Sequence, residues 1–322
     1  MVYFDLKNKK AECPPITCPS VAALGIFDGV HIGHAALISR ATEERDRLRK
    51  NSIPAVCIVW SLFETPKCAS SITTLEQKLN LFAKLGVDYA VIEHFDDIKH
   101  LSPDEFVTDT LIGKLDCRCA VCGFNFRFGS GGKGDAETLS RLLSQSGAST
   151  AVVPPVVCEN GSLVSSSIIR TLIENGETEE AAVLLGRPFS INFPIVHGKH
   201  LGRTIGLPTA NQTFPEGHII PRCGIYSSSV EIDGKVFMGV TNVGSRPTFE
   251  NCAAINSETH IIDFDGILYD KSIKISFYKR IRDEIRFSSA DELCAQVSQD
   301  IKSTRKYFAS RGDFFHSKGE QR

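Results

Sequence analysis

The stretch GIFDGVHIGH, Gly25 to His34, sets two imidazoles three residues apart, directly after the apolar run VAAL. A helix that starts there offers unsatisfied N–H groups and partial positive charge to an anion. His31 and His34 add ring donors suited to phosphoryl oxygens, and Gly29 and Gly33 let a nucleotide come close to the backbone. A pentacoordinate transition state at a phosphorus atom gathers charge where such donors point. The same spacing would also suit two satisfied surface histidines, or two ligands of a zinc site.

A second constellation lies in GKHLGRTIGLPTANQTF, where Gly198, Gly202 and Gly206 precede Pro208, Thr209, Ala210 and Asn211. In a membrane helix this glycine spacing would signal dimerisation, but Lys199, His200, Arg203 and Pro208 exclude that setting. A flexible loop over phosphates fits better, with its basic residues neutralising charge. Thr209 and Asn211 offer neutral oxygens suited to Mg²⁺, a hard cation that shares its shell with substrate phosphates and water. Glu258, taken by itself, reads as a solvated strand residue.

Elements must hold these groups in place. The first half alternates apolar runs with helical patterns: VAALGIF, then HAALISRATEERDRLRK with Leu37, Ile38, Ala41 and Leu48 on one side, then IPAVCIVW. LEQKLNLFAKLG follows as a helix with Leu75, Leu79, Phe82 and Leu85 in phase and Gly86 as its stop, then the strand DYAVIEHF. SPDEFVTDTLIGKL opens with Ser102 as N-cap, Pro103 at the first helical position and Glu105 completing a capping box. RCAVCGF, DAETLSRLLSQSG and STAVVPP complete the series. Such alternation predicts a doubly wound parallel sheet, which binds ligands beyond the carboxyl ends of its strands. FDGVHIGH, GFNFRFGSGGKG and VSSSIIR all fall at strand ends or helix starts. No G-x-x-x-x-G-K-[ST] is present, and no G-x-G-x-x-G follows the first strand, which argues against a P-loop kinase and a dinucleotide-binding enzyme.

SIIRTLIENGETEEAAVLLG reads as a connector of two short helices around Gly176. Beyond Gly186 the runs FPIVHG, GIYSSSVEI, KVFMGVTNV, THIIDF and SIKISFY predict close-spaced strands, with Asp233-Gly234 and Asp265-Gly266 at turns. A small β-barrel follows, closed by the helix SADELCAQVSQDIKSTRKYF, with Ser289 and Glu292 as a capping box and Leu293, Val297 and Ile301 along one face.

The 322 residues suit two domains, divided at 1–184 and 185–322. A net charge of −2 supplies no global pull toward nucleic acid or anionic lipid, and no apolar run reaches membrane-spanning length. No signal segment opens the chain, so a cytoplasmic location is expected. Eleven cysteines at irregular spacing do not form a secreted disulfide framework. Cys117, Cys119 and Cys122 could offer three thiolates to a metal, but the strand-like CRCAVCGFNF casts them as small core residues.

Gly25, Phe27, Asp28, Gly29, His31, Gly33 and His34, with Asn125 of GFNFRFG and Ser166, Ser167 and Arg170 of SSSIIR, resemble the ATP-binding motifs of the HxGH nucleotidyltransferases. The resemblance is specifically to the adenylyltransferase half of bifunctional riboflavin kinase/FAD synthetase. It implies that these residues hold ATP, with His31 and His34 catalytic and Arg170 paired to phosphate. Arg127 faces either nucleotide or solvent. The Pro-Thr-Ala-Asn tetrapeptide, TNVGSRPTF, SETHIIDFDGILYD and RIRDEIRF are similar, in order, to the riboflavin kinase half. That likeness implies an ATP- and flavin-binding set of Gly198, Lys199, Gly202, Gly206, Pro208, Thr209, Asn211 and Arg282, with Mg²⁺ on Thr209 and Asn211. It makes Glu258 the general base. One departure is the loop VWSLFETPKC, which has Glu64 at the acidic position but lacks the family's Pro-His-Pro. Expected substrates are riboflavin, FMN and ATP, with no nucleic acid or membrane partner; an oligomer is compatible with the sequence. The alternative is a riboflavin kinase whose first domain is a weak or inactive adenylyltransferase, and a rival of another class is a non-catalytic flavin- or RNA-binding module.

Overall fold

A computed structural model describes residues 1–5, 18–63, 70–158, 161, 163–196, 208–245, 255–266, 268 and 271–312. The chain divides into two units, Met1–Ser166 and Ser167–Arg322.

In the first unit, six parallel strands form one sheet: β1 (Val2–Asp5), β2 (Ser20–Leu24), β3 (Val56–Leu62), β4 (Tyr89–Glu93), β5 (Cys117–Gly123) and β6 (Ser149–Val153). Their order is β1-β4-β3-β2-β5-β6. The chain leaves β2 toward β3 and returns later to β5 on its other side, so the switch point lies between the carboxyl ends of β2 and β5. Helix α1 (Ile32–Lys50) buries Leu37, Ile38 and Ala41, and α2 (Leu75–Lys84) buries Phe82, both against one sheet face. The other face carries a second cluster with Leu139, Leu142 and Leu143 of α3 (Ala136–Gln145). The capping box at Ser102 forms as expected, but after Glu105 the chain widens into a π-helix over Phe106–Lys114. The wider winding carries Phe106, Val107 and Leu111 onto that second cluster.

The cysteines of β5 settle as core residues. Cys117 and Cys122 belong to one sheet face and Cys119 to the other, so the three thiols cannot converge on one ion. Burial pushes the Cys117 thiol up to about 12 and the Cys122 thiol to about 11.

The second unit begins with α4 (Ser166–Asn175), whose first residue belongs to the first unit, and α5 (Thr178–Leu185). Gly176 separates them at φ +82°, where a Cβ would strike the Arg280 side chain. Six antiparallel strands follow: β7 (Phe189–Pro194), β8 (Thr209–Thr213), β9 (Gly224–Ile232), β10 (Lys235–Ser245), β11 (Ile255–Ile261) and β12 (Ser272–Arg282), ordered β7-β12-β9-β10-β11-β8. An isolated bridge between Val196 and Asn211 joins the two edges of this curled sheet. Asp233 and Gly234, at φ +49° and +76°, make the tight β9–β10 hairpin expected of Asp-Gly.

Helix α6 (Ala290–Arg311) is capped by Ser289, whose side chain accepts from the Glu292 N–H; the expected capping box is half formed, because the Glu292 carboxylate accepts from the Ser288 N–H and hydroxyl instead of the Ser289 N–H. Its buried residues are Asp300, Thr304 and Phe308, with Ile301 against the patch of Ile225, Val240 and Ile262. Leu293, Val297 and Ile301 are half-buried on this same stripe, as expected, and Asp300 lies on it as well, paired with Arg282. Two strands differ from expectation. The run FPIVHG contributes only its first two residues to β7, and Thr209–Thr213, expected in a loop, is strand β8.

Candidate active sites

The chain leaves β2 at Leu24 and turns sharply into α1. Phe27, Gly29 and Val30 take positive φ values of 54°, 78° and 39°. For the β-branched Val30 this is a genuine outlier, held by its surroundings. Phe27 is fully buried, edge-on to Phe82 and to the His34 ring. His31 is the N-cap of α1: its Nδ1 accepts the His34 N–H at 3.2 Å, which assigns the ring proton to Nε2. The two imidazoles stack with centroids 3.6 Å apart. A Cβ at Gly33 would lie 3.2 Å from the His31 ring, so glycine leaves space for this stack.

The turn is clamped from below. The buried Asp28 carboxylate accepts the Ile72 N–H at 2.9 Å and the Thr73 N–H at 3.4 Å, and Gly29 N–H donates to Thr73 Oγ1. Ser166, the last residue of the first unit, donates its hydroxyl to the Asp28 carbonyl at 2.9 Å. Ser61 Oγ and Lys78 Nζ both donate to the Ile26 carbonyl, at 2.9 and 3.0 Å, and Lys78 reaches the Leu62 carbonyl at 3.3 Å. Asn125 is exposed in the turn after β5, across the switch point from this loop. Arg127 pairs with Asp135. Ser167 is exposed on α4 and Arg170 is buried there. Among the expected ligands, Asp28 therefore acts through the backbone of residues 72 and 73. Residues 64–69, including Glu64, lie outside the described residues.

Sequence reasoning overlooked Lys78. Its signal is a lysine on the apolar stripe of α2, in phase with Leu75, Leu79 and Phe82. Burial lowers its pKa from 10.5 to about 8, partly opposed by Asp28. The unfolded chain then binds the proton more tightly than the folded one between about pH 8 and 10.5, so stability rises with pH across that window. Relative to Lys78→Met, the wild type should gain up to ~1.4 kcal/mol per pH unit there. Urea unfolding followed by the single tryptophan, Trp60 on β3, reads this out. A wild-type-minus-variant difference that stays flat from pH 8 to 10 would refute the assignment.

In the second unit, β8, β11 and β10 pair without a register shift, with Asn211 opposite Glu258 and Glu258 opposite Asn242. Directly opposed residues share a face at about 5 Å between Cβ atoms, so Asn211, Glu258 and Asn242 form one row across three strands. The adjacent row holds Thr209 opposite His260, with His260 Nδ1 3.2 Å from the Pro208 carbonyl. Asn211 Nδ2 donates to Thr209 Oγ1 at 3.3 Å. Burial lowers the His260 pKa, and the Pro208 carbonyl opposes this. The Thr209 and Asn211 oxygens are hard, neutral donors two residues apart on one face, which suits a magnesium ion shared with phosphates. Among the described residues no group of three or more His, Cys, Asp or Glu side chains could hold a metal.

Arg282 is engaged elsewhere: its guanidinium makes a two-point pair with buried Asp300, at 3.1 and 2.7 Å, and donates to the Asp283 carbonyl. It ties β12 to α6. Gly198, Lys199, Gly202 and Gly206 lie outside the described residues.

Two family models match, FAD synthetase over residues 13–168 and riboflavin kinase over residues 185–308. The bifunctional riboflavin kinase/FMN adenylyltransferase of Bacillus subtilis is 37% identical over 301 residues, covering 90% of this chain and 93% of the relative. Its Escherichia coli K12 counterpart is 36% identical, covering 92% and 95%. A crystal structure of a protein described as a macrolide-efflux protein from Streptococcus pneumoniae superposes with a TM-score of 0.83 at 31% identity, covering 95% of this chain and 99% of that one. In the present chain no helix among the described residues is long and apolar enough to cross a membrane. With both halves matched in order and nearly the whole length shared, the chain belongs to the bifunctional riboflavin kinase/FMN adenylyltransferase family.

Proposed function

We propose that the chain makes FAD in two steps: it phosphorylates riboflavin with ATP, then adenylylates the resulting FMN with a second ATP. The observation that carries this reading is the presence of two separate polar constellations in one chain, the histidine turn after β2 and the Asn211–Glu258 row on β8 and β11. The adenylyltransferase domain is assigned to residues 1–184 and the kinase domain to 185–322.

In the kinase step Glu258 accepts the proton of the terminal ribityl hydroxyl as that oxygen attacks the γ-phosphorus of ATP. The new P–O bond forms as the bond to the bridging oxygen breaks, and ADP leaves. Thr209 and Asn211 would hold Mg²⁺, which when bound neutralises part of the triphosphate charge. In the second step a phosphate oxygen of FMN attacks the α-phosphorus of ATP and pyrophosphate leaves. His31, donating from Nε2, and His34 stabilise the charge that gathers there, and the amides at the start of α1 add to it. Asn125, Ser166, Ser167 and Arg170 position the triphosphate. The eight unpaired thiols among the described residues support a reducing, cytoplasmic setting.

Purified protein incubated with ATP, Mg²⁺ and riboflavin should yield FMN and then FAD, and with FMN should yield FAD directly. FMN without FAD in both incubations would reduce the chain to a kinase. Unchanged riboflavin with well-folded protein would overturn the whole reading.

A further inference from the structure

We propose that Asn242 and Asn256 are the acceptors that read the polyol side chain of the flavin, so that they set the kinase site's preference for a hydroxylated substrate; this rests on the riboflavin kinase reading above. Both side chains lie on the face that carries Glu258. Asn242 is its direct neighbour on β10, and Asn256 precedes it by two residues on β11. Asn256 is only 6% exposed, and the Oδ1 atoms of both asparagines are buried without a hydrogen-bond partner among the described residues.

A buried amide oxygen left unpaired is costly, and more so beside apolar side chains. Asn242 stands opposite Ile225, where the patch under α6 ends. Two such atoms on one face, flanking a carboxylate, match a ligand that brings hydrogen-bond donors. Two kinds of ligand could supply the missing partner. A cation on these neutral amides would need phosphates to compensate its charge, and the reading above places the phosphates at Thr209 and Asn211, on the other side of Glu258 from Asn242. Neutral hydroxyl groups match neutral amide oxygens without that demand. The terminal ribityl hydroxyl is placed at Glu258 by the reaction, so the hydroxyls behind it must lie within a few ångströms of the same row.

This reading makes an unusual demand on stability. A group whose partner is the substrate contributes nothing favourable to the free protein, so an apolar residue of similar size should leave the empty fold as stable or more so. A structural asparagine would behave in the opposite way.

The test uses the full chain and two ligands: riboflavin, and lumiflavin, which has the same ring with a methyl in place of the polyol. Binding is followed by quenching of flavin fluorescence. The quantity of interest is the ratio of the two dissociation constants within each protein, which does not depend on the fraction folded. In Asn256→Leu and in Asn242→Leu the preference for riboflavin should fall about tenfold relative to the wild type, with thermal midpoints unchanged or raised. A wild-type preference retained in both variants would overturn the proposal, while continued FMN formation would leave the kinase reading standing. If the wild type neither binds riboflavin nor makes FMN, the kinase reading itself fails.

Discussion

Replacing Glu258 with glutamine should lower FMN formation about a thousandfold, within the range attributed to a positioned general base. Glutamine keeps the size and the hydrogen-bonding reach of the side chain but cannot take up the proton from an attacking hydroxyl. Because Glu258 sits centrally in β11, flanked in register by Asn211 and Asn242, the substitution leaves the strand pairing intact. Riboflavin binding should therefore change little, and adenylylation of supplied FMN should proceed at the wild-type rate. ADP release and FMN chromatography, run beside a flavin-binding titration, decide the matter. Wild-type turnover in the variant would remove Glu258 from the mechanism.

The second large effect concerns His31. His31→Ala removes a ring donor from the histidine turn, and loss of one such donor in a comparable site lowers the rate about 10²–10³-fold. FAD formation from FMN should fall by that order while riboflavin phosphorylation stays within a factor of two. The alanine also removes the N-cap of α1, an effect worth about 1 kcal/mol. His31→Asn separates these contributions, since asparagine restores a capping acceptor without restoring the imidazole. Recovery of the thermal midpoint without recovery of rate would assign the histidine to chemistry. Full recovery of rate in His31→Asn would reduce it to a cap, and equal loss of both reactions in His31→Ala would point to a folding defect.

The histidine turn was legible because the residues that announce it are local, an apolar run, two glycines and two histidines at a helix start, although the contacts that clamp it are distant. The same holds for Ser102 with Glu105 and for the Asp233-Gly234 hairpin. Strand β8 was not legible. Its sequence TANQT has weak intrinsic preference for a strand, and the conformation comes from pairing with β11 more than 40 residues later. The roles of Asp28 and Arg282 were hidden for the same reason. Asp28 is bound to backbone 44 residues away, and Arg282 is committed to Asp300 on a helix packed outside the strands. Lys78 was visible as an inconsistency, a charged residue in an apolar stripe, but nothing local says which carbonyls it holds. The amide row needed the register of three strands before it existed at all.

The bridge between Val196 and Asn211 has a consequence for how this barrel tolerates change. The Val196 N–H donates to the Asn211 carbonyl at 2.8 Å, so β8 is paired on both flanks, by β11 on one side and by the chain leaving β7 on the other. Such two-sided pairing holds the Asn211 backbone independently of its side chain, so a substitution there should remove the amide while leaving the strand in place.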